Sequence, residues 1–229
     1  MKTIGLIGGM SAESTVTYYK VINSVVNQKL GGFHSAKCLL YSVDFDEIER
    51  CQMSGEWEKS GEILADAARR LQKGGADFLV LCTNTMHKVA HAIQSAVSIP
   101  FLHIAEATAR RVKDAGIGKV CLLGTAFTME EGFYKDVLAR NGIDVIVPDA
   151  DDRKTVNDVI YGELCHGVIK DESRAKFVGI INKAAALGAR GAILGCTEIG
   201  LLVGDGDIAL PVFDTALIHA EEAALAALE

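Results

Sequence analysis

Among the six cysteines of this chain there is no CxxC pair, so zinc-site and thioredoxin-type readings have no footing. No stretch reaches the roughly 18 consecutive apolar residues of a membrane-spanning helix. The opening MKTIGLIGGM lacks the longer apolar segment and cleavage site of a signal peptide. A cytoplasmic protein with reduced thiols and no membrane partner is therefore expected. Positive charge is short as well: 23 Lys and Arg against 30 Asp and Glu leave a net charge of −7, with no basic run as a footprint for nucleic acid. Nor is there a full dinucleotide fingerprint. Gly5, Gly8 and Gly9 in IGLIGGMS do not fit GxGxxG spacing, and no P-loop lysine follows. These absences leave a small molecule as the expected partner.

What is present is a strong alternation. The chain has 229 residues, of which 49% are hydrophobic and 23% charged, enough for a sizeable core in one large or two small domains. Short apolar runs at 2–8, 36–43, 78–83 and 101–104, and again at 119–125, 143–147, 192–197 and 210–213, read as strands. The segments between them carry helical spacing, which predicts βαβ units around parallel sheets buried on both faces. In 60–73, Ile63, Leu64, Ala67, Ala68 and Leu71 share one helical face before Gly74-Gly75. In 173–187, Phe177, Val178, Ile181 and Ala185 do the same before Gly188.

The two series superimpose. IGLIGG at 4–9 falls on VCLLGT at 120–125, Tyr18 on Tyr134, Gly74 on Gly188, Cys82 on Cys196, and Ile99-Pro100 on Leu210-Pro211. An ordered set of matches with a slowly drifting offset marks a duplicated unit. The expectation is an α/β protein of two similar parallel-sheet domains related by pseudo-two-fold symmetry. One domain is expected to comprise 1–100 plus 210–229 and the other 101–209, with an active site in the interdomain cleft.

The duplication gives meaning to two cysteines. LCTNTMH and LGCTEIGLL each end an apolar run at Cys-Thr, which puts Cys82 and Cys196 at strand carboxyl ends, where open parallel sheets bind ligands. One buried cysteine in such a place is ordinary packing; a symmetry-related pair calls for chemistry. Each is followed by an expected helix start, at Asn84-Thr85 and at Glu198, whose free N–H groups would favour a thiolate or a substrate carboxylate. A thiolate on one face of a carbon and a thiol on the other could invert a stereocentre. Cys38 and Cys121 are expected in the core of strands, and Cys51 and Cys165 are given no chemistry. Gly9, Met10 and Ser11 are expected to bring backbone close to a small ligand. Arg50, Lys88, Lys154, His166 and Lys170 are the candidates to offset substrate charge. His87 is open between orienting a thiolate and capping a helix, and Glu198 between holding a substrate ammonium and favouring a helix start.

IGLIGGMS, LCTNTMH and LGCTEIGLL together resemble the aspartate/glutamate racemase family over essentially the whole chain, most of all its enterobacterial branch. The resemblance implies a racemase that interconverts L- and D-aspartate or glutamate using Cys82 and Cys196 as two bases, with neither pyridoxal phosphate nor metal. It also implies substrate contacts from Met10, Ser11, Gln52, Thr83, Asn84, Thr85, Thr197 and Glu198. Glutamate racemases of cell-wall synthesis carry Asp-Ser where this chain has Gly9-Met10, and Cys-Thr-His where it has Cys196-Thr197-Glu198, which points to the aspartate side. Other reactions on the same fold stay open: hydantoin racemisation, maleate isomerisation and, less well because it needs one cysteine only, arylmalonate decarboxylation. A non-catalytic amino-acid sensor is a further alternative. No oligomeric state follows from the sequence, although an exposed apolar helix face would suggest a homodimer.

Overall fold

The computed structural model describes residues 1–229. Its first sheet contains β1 (Ile4–Gly8), β2 (Cys38–Ser42), β3 (Phe78–Leu81) and β4 (Phe101–Leu102); the second contains β5 (Lys119–Gly124), β6 (Asp144–Ile146), β7 (Ala192–Gly195) and β8 (Val212–Asp214). The strand orders are β2-β1-β3-β4 and β6-β5-β7-β8, all neighbours parallel. The two halves thus repeat one topology. Around the strands run α1 (Ala12–Leu30), α2 (Phe45–Ser54), α3 (Trp57–Lys73), α4 (Ala90–Ser95), α5 (Ile104–Asp114), α6 (Ala126–Glu130), α7 (Gly132–Arg140), α8 (Ala150–Gly162), α9 (Asp171–Ala186) and α10 (Thr215–Leu228).

The central strands are apolar, apart from Lys119 at the start of β5, because helices cover both their faces. Every residue of β1, β3 and β7 is buried. Edge strand β2 is only partly covered, so Cys38 is half-buried and not in the core as expected, whereas Cys121 of central β5 is fully enclosed. Helix α3 buries Leu64, Ala67, Ala68 and Leu71 and ends at Gly74, with Gly75 at φ 94°. In α9 the buried stripe is Phe177, Ile180, Ile181 and Ala184. It is turned slightly from the expected one, because true i, i+3, i+4, i+7 spacing selects Ile180 and Ala184 over Val178 and Ala185.

Two compact units result: Met1–Ile104 with His219–Glu229, and Ala105–Ile218. The expected return at residue 210 is therefore too early. Residues 212–214 form β8, which pairs with β7 (Ala192↔Val212), so the ladder keeps them in the second unit, and the chain rejoins the first inside α10. No helix is long and apolar enough to cross a membrane.

Candidate active site

In the first unit the site residues gather at the carboxyl ends of β1 and β3. The strand pairing carries on past β3, where the Cys82 amide donates to the Ile7 carbonyl at 2.9 Å. Cys82 is 0% exposed. After β1 the chain turns at Gly9, whose φ of 93° and whose contact with the Val43 carbonyl leave no room for a Cβ. Ser11 then caps α1, its hydroxyl accepting from Ser14 N at 3.4 Å. The Gly9 amide donates to Thr15 Oγ1 at 2.8 Å, and that hydroxyl donates to the Ser11 carbonyl at 2.8 Å. Met10 is buried in the apolar cluster that also holds Ile48, Leu81 and Met86. Gln52 reaches this cluster from α2 and donates to Met86 Sδ at 3.0 Å. Thr83, Asn84 and Thr85 are all buried and lead into a 3₁₀ turn over Thr85–Val89.

In the second unit Cys196 follows β7 in the same way, 8% exposed, and leads into a 3₁₀ turn at Ile199–Leu201. Its thiol donates to Glu198 Oε2 at 3.0 Å, and the Thr197 hydroxyl donates to the same oxygen at 2.8 Å. Glu198 is itself 4% exposed. Sequence reading placed Glu198 against a substrate ammonium or at a helix start; here it accepts from the cysteine two residues before it. It also lies close enough to Cys165 to raise that thiol's pKa, after burial, to about 12. Cys165 had no sequence signal, since it lies on the turn Leu164–His166, far from either cysteine motif.

The thiols differ from expectation in ionisation. Burial pushes Cys82 far up, with a smaller contribution from Cys38. Burial also raises Cys196 well above its ordinary value, with further contributions from the Glu198 charge and its hydrogen bond. Both shifts favour the protonated thiol. A short 3₁₀ turn aligns few peptide dipoles, and desolvation of a buried thiolate outweighs it. Of the two, Cys196 is hydrogen-bonded to a carboxylate, whereas the shift of Cys82 comes from burial and from Cys38, with no carboxylate contributing.

His87 caps a helix, but not its own. Its Nδ1 lies 2.7 Å from the Thr83 carbonyl, and its Nε2 accepts from the amide of Ile104, the first residue of α5, at 3.1 Å. The five cationic candidates are engaged elsewhere or open to solvent. Arg50 pairs with Asp46 at 2.7 Å, Lys154 with Asp158 and Lys170 with Glu163 at 3.0 Å. Lys88 lies 3.7 Å over the Trp57 ring, and His166 is exposed. No group of three or more His, Cys, Asp or Glu side chains is arranged to hold a metal ion.

Comparison with known proteins gives a consistent answer. The sequence model of the Asp/Glu/hydantoin racemase family matches residues 7–223. A candidate Asp/Glu racemase from Yersinia pestis is 53% identical, with a TM-score of 0.94 and 100% of both chains covered. An aspartate racemase homologue from Pyrococcus horikoshii OT3 is 36% identical, with a TM-score of 0.88, again over 100% of both chains. The broad specificity amino-acid racemase RacX of Bacillus subtilis (strain 168) is 32% identical over 162 residues. That alignment spans 64% of each chain, just short of two thirds of the curated relative.

Proposed function

We propose that this chain, which belongs to the Asp/Glu/hydantoin racemase family, is a cofactor-independent racemase of aspartate, glutamate or both. The observation that carries the reading is the pair Cys82 and Cys196, each at the carboxyl end of the third-position strand of an identically ordered sheet. Relatives described as an aspartate racemase homologue and as a broad specificity amino-acid racemase support the substrate class.

In the proposed reaction one thiolate removes the Cα proton and the other cysteine's thiol returns a proton to the other face. Glu198 explains how the first thiolate can arise in a buried site. The Cys196 proton moves along the existing 3.0 Å hydrogen bond to Oε2, leaving a thiolate beside a neutral carboxylic acid and adding no net charge. Cys196 is the proposed base for the L-enantiomer and Cys82 for the D-enantiomer. Met10, Ser11, Gln52, Thr83, Asn84, Thr85 and Thr197 are the proposed substrate contacts.

The test is incubation with L-aspartate or L-glutamate in heavy water, with no added cofactor. Deuterium at Cα together with the opposite enantiomer is the expected result. A folded protein that produces neither from either amino acid would overturn the proposal, and turnover of a hydantoin alone would redirect it within the family.

A further inference from the structure

We infer that His87 is a positioning residue for the Cys82 side of the site, acting through the Thr83 carbonyl; the inference deepens the racemase reading and rests on it. The argument starts from the imidazole's two hydrogen bonds. Ile104 N–H can only donate, so Nε2, 3.1 Å away, carries the lone pair. The proton must then sit on Nδ1 and be donated to Thr83 O at 2.7 Å. The ring is neutral, and its pKa is pushed well below the ordinary histidine value by burial and by His103 and His219.

Three aromatic neighbours hold the ring in place. Its centroid is 4.6 Å from that of His103, 5.5 Å from Phe101 and 5.9 Å from His219. His219 is anchored in turn: Leu102 O can only accept, so Nε2 donates to it at 2.9 Å, and Nδ1 accepts from Tyr18 OH at 2.8 Å. A fixed imidazole therefore ties the Thr83–Asn84 peptide, one peptide beyond that following Cys82, to the first residue of α5. No proton transfer is assigned to it, because both nitrogens are committed to backbone. Its effect is to set the Thr83–Asn84–Thr85 path and with it the direction in which Cys82 points, the kind of support a reactive group needs from its surroundings.

Two substitutions separate the two hydrogen bonds. Asn places its amide near the Nδ1 position, so His87→Asn keeps the donor to Thr83 O and loses the acceptor for Ile104. Gln reaches the Nε2 position, so His87→Gln does the reverse. The readout is β-elimination from each enantiomer of 3-chloroalanine, which needs only the abstracting base, alongside the rate at which iodoacetamide alkylates Cys82 and Cys196 in the full chain. His87→Gln should slow elimination from the enantiomer served by Cys82 by about a hundredfold, the scale of a misplaced catalytic group, and spare the other enantiomer. It should also speed alkylation of Cys82 but not of Cys196. His87→Asn, which keeps the donor to Thr83 O, should be impaired markedly less than His87→Gln in both respects.

Equal impairment of both enantiomers, equal behaviour of the two variants, or an unimpaired His87→Gln would overturn the inference. Should the wild-type protein neither racemise nor eliminate, the racemase reading fails, and the alkylation rates of Cys82 in the two variants still decide whether His87 sets that loop.

Discussion

The Cys196 thiol donates a hydrogen bond to the Glu198 carboxylate, two residues on, at 3.0 Å, and both are buried. Cys82, at the matching position of the other sheet, is fully buried, and no carboxylate contributes to its pKa shift. The two halves of a duplicated fold thus hold the same thiol in chemically different settings, and the difference can be measured.

Glu198→Gln keeps the shape of the side chain and removes its ability to take a proton. Racemisation should fall by about a hundredfold or more, the usual contribution of a positioned base. Elimination from the 3-chloroalanine enantiomer served by Cys196 should fall in parallel, while the one served by Cys82 continues. An equal loss for both enantiomers would show that Glu198 binds substrate instead of activating Cys196.

Serine at either cysteine replaces a thiol with a hydroxyl that scarcely ionises. Cys82→Ser and Cys196→Ser should each lose racemisation almost completely, because in the proposed mechanism every turnover uses one residue as base and the other as acid. Each should nevertheless retain elimination from one enantiomer: the L-form for Cys82→Ser and the D-form for Cys196→Ser. Full racemisation in either variant would make that cysteine structural; exchanged preferences would reverse only the handedness.

The buried thiols and His87 bound the pH range of stability from opposite sides. Folding raises Cys38 to about 11 and Cys121 and Cys165 to about 12, and raises Cys82 and Cys196 as well. The stability this represents is complete below the ordinary value of 9.0. It is lost as pH climbs from there towards the folded values, since the unfolded thiols ionise first. His87 is depressed below 6.5 and faces His103 and His219, the latter hydrogen-bonded to Tyr18. Its contribution is complete above 6.5 and is lost as pH falls towards the folded value, at up to about 1.4 kcal/mol per pH unit. Urea midpoints should therefore be highest between about pH 7 and 8.5. His87→Asn should flatten the slope between about pH 6.5 and 5, and an unchanged acid slope in that variant would show that the burial of His87 does not control it.

Gly9→Ala forces a side chain into a backbone with φ of 93° and against the Val43 carbonyl. A cost of about 1–3 kcal/mol is expected from the backbone conformation, with the clash adding to it. Because the displaced turn leads into Met10 and Ser11, KM should rise together with the loss of thermal stability. Gly75→Ala is the control: it shares the positive φ, at 94°, but has open space around it, so it should lose stability without a change in KM.

Much of this was legible in the sequence because it is local. A strand buried on both faces must be apolar along its whole length, so runs such as IGLIG, FLVL and AILG announce themselves. A repeated grammar then places Cys82 and Cys196 at equivalent strand ends without any coordinates. The tertiary structure decided what depends on partners distant in the chain. Gln52 meets Met86 across 34 residues, His87 meets Ile104 across 17, and Tyr18 meets His219 across 201, and no local periodicity encodes such pairs. The same holds for β8, which reads as a short apolar run whichever sheet it joins and is assigned only by its ladder with β7. Ionisation follows this rule too: a helix start beside a cysteine is visible in the sequence, but the desolvation that overrides it is a property of everything packed around the sulfur.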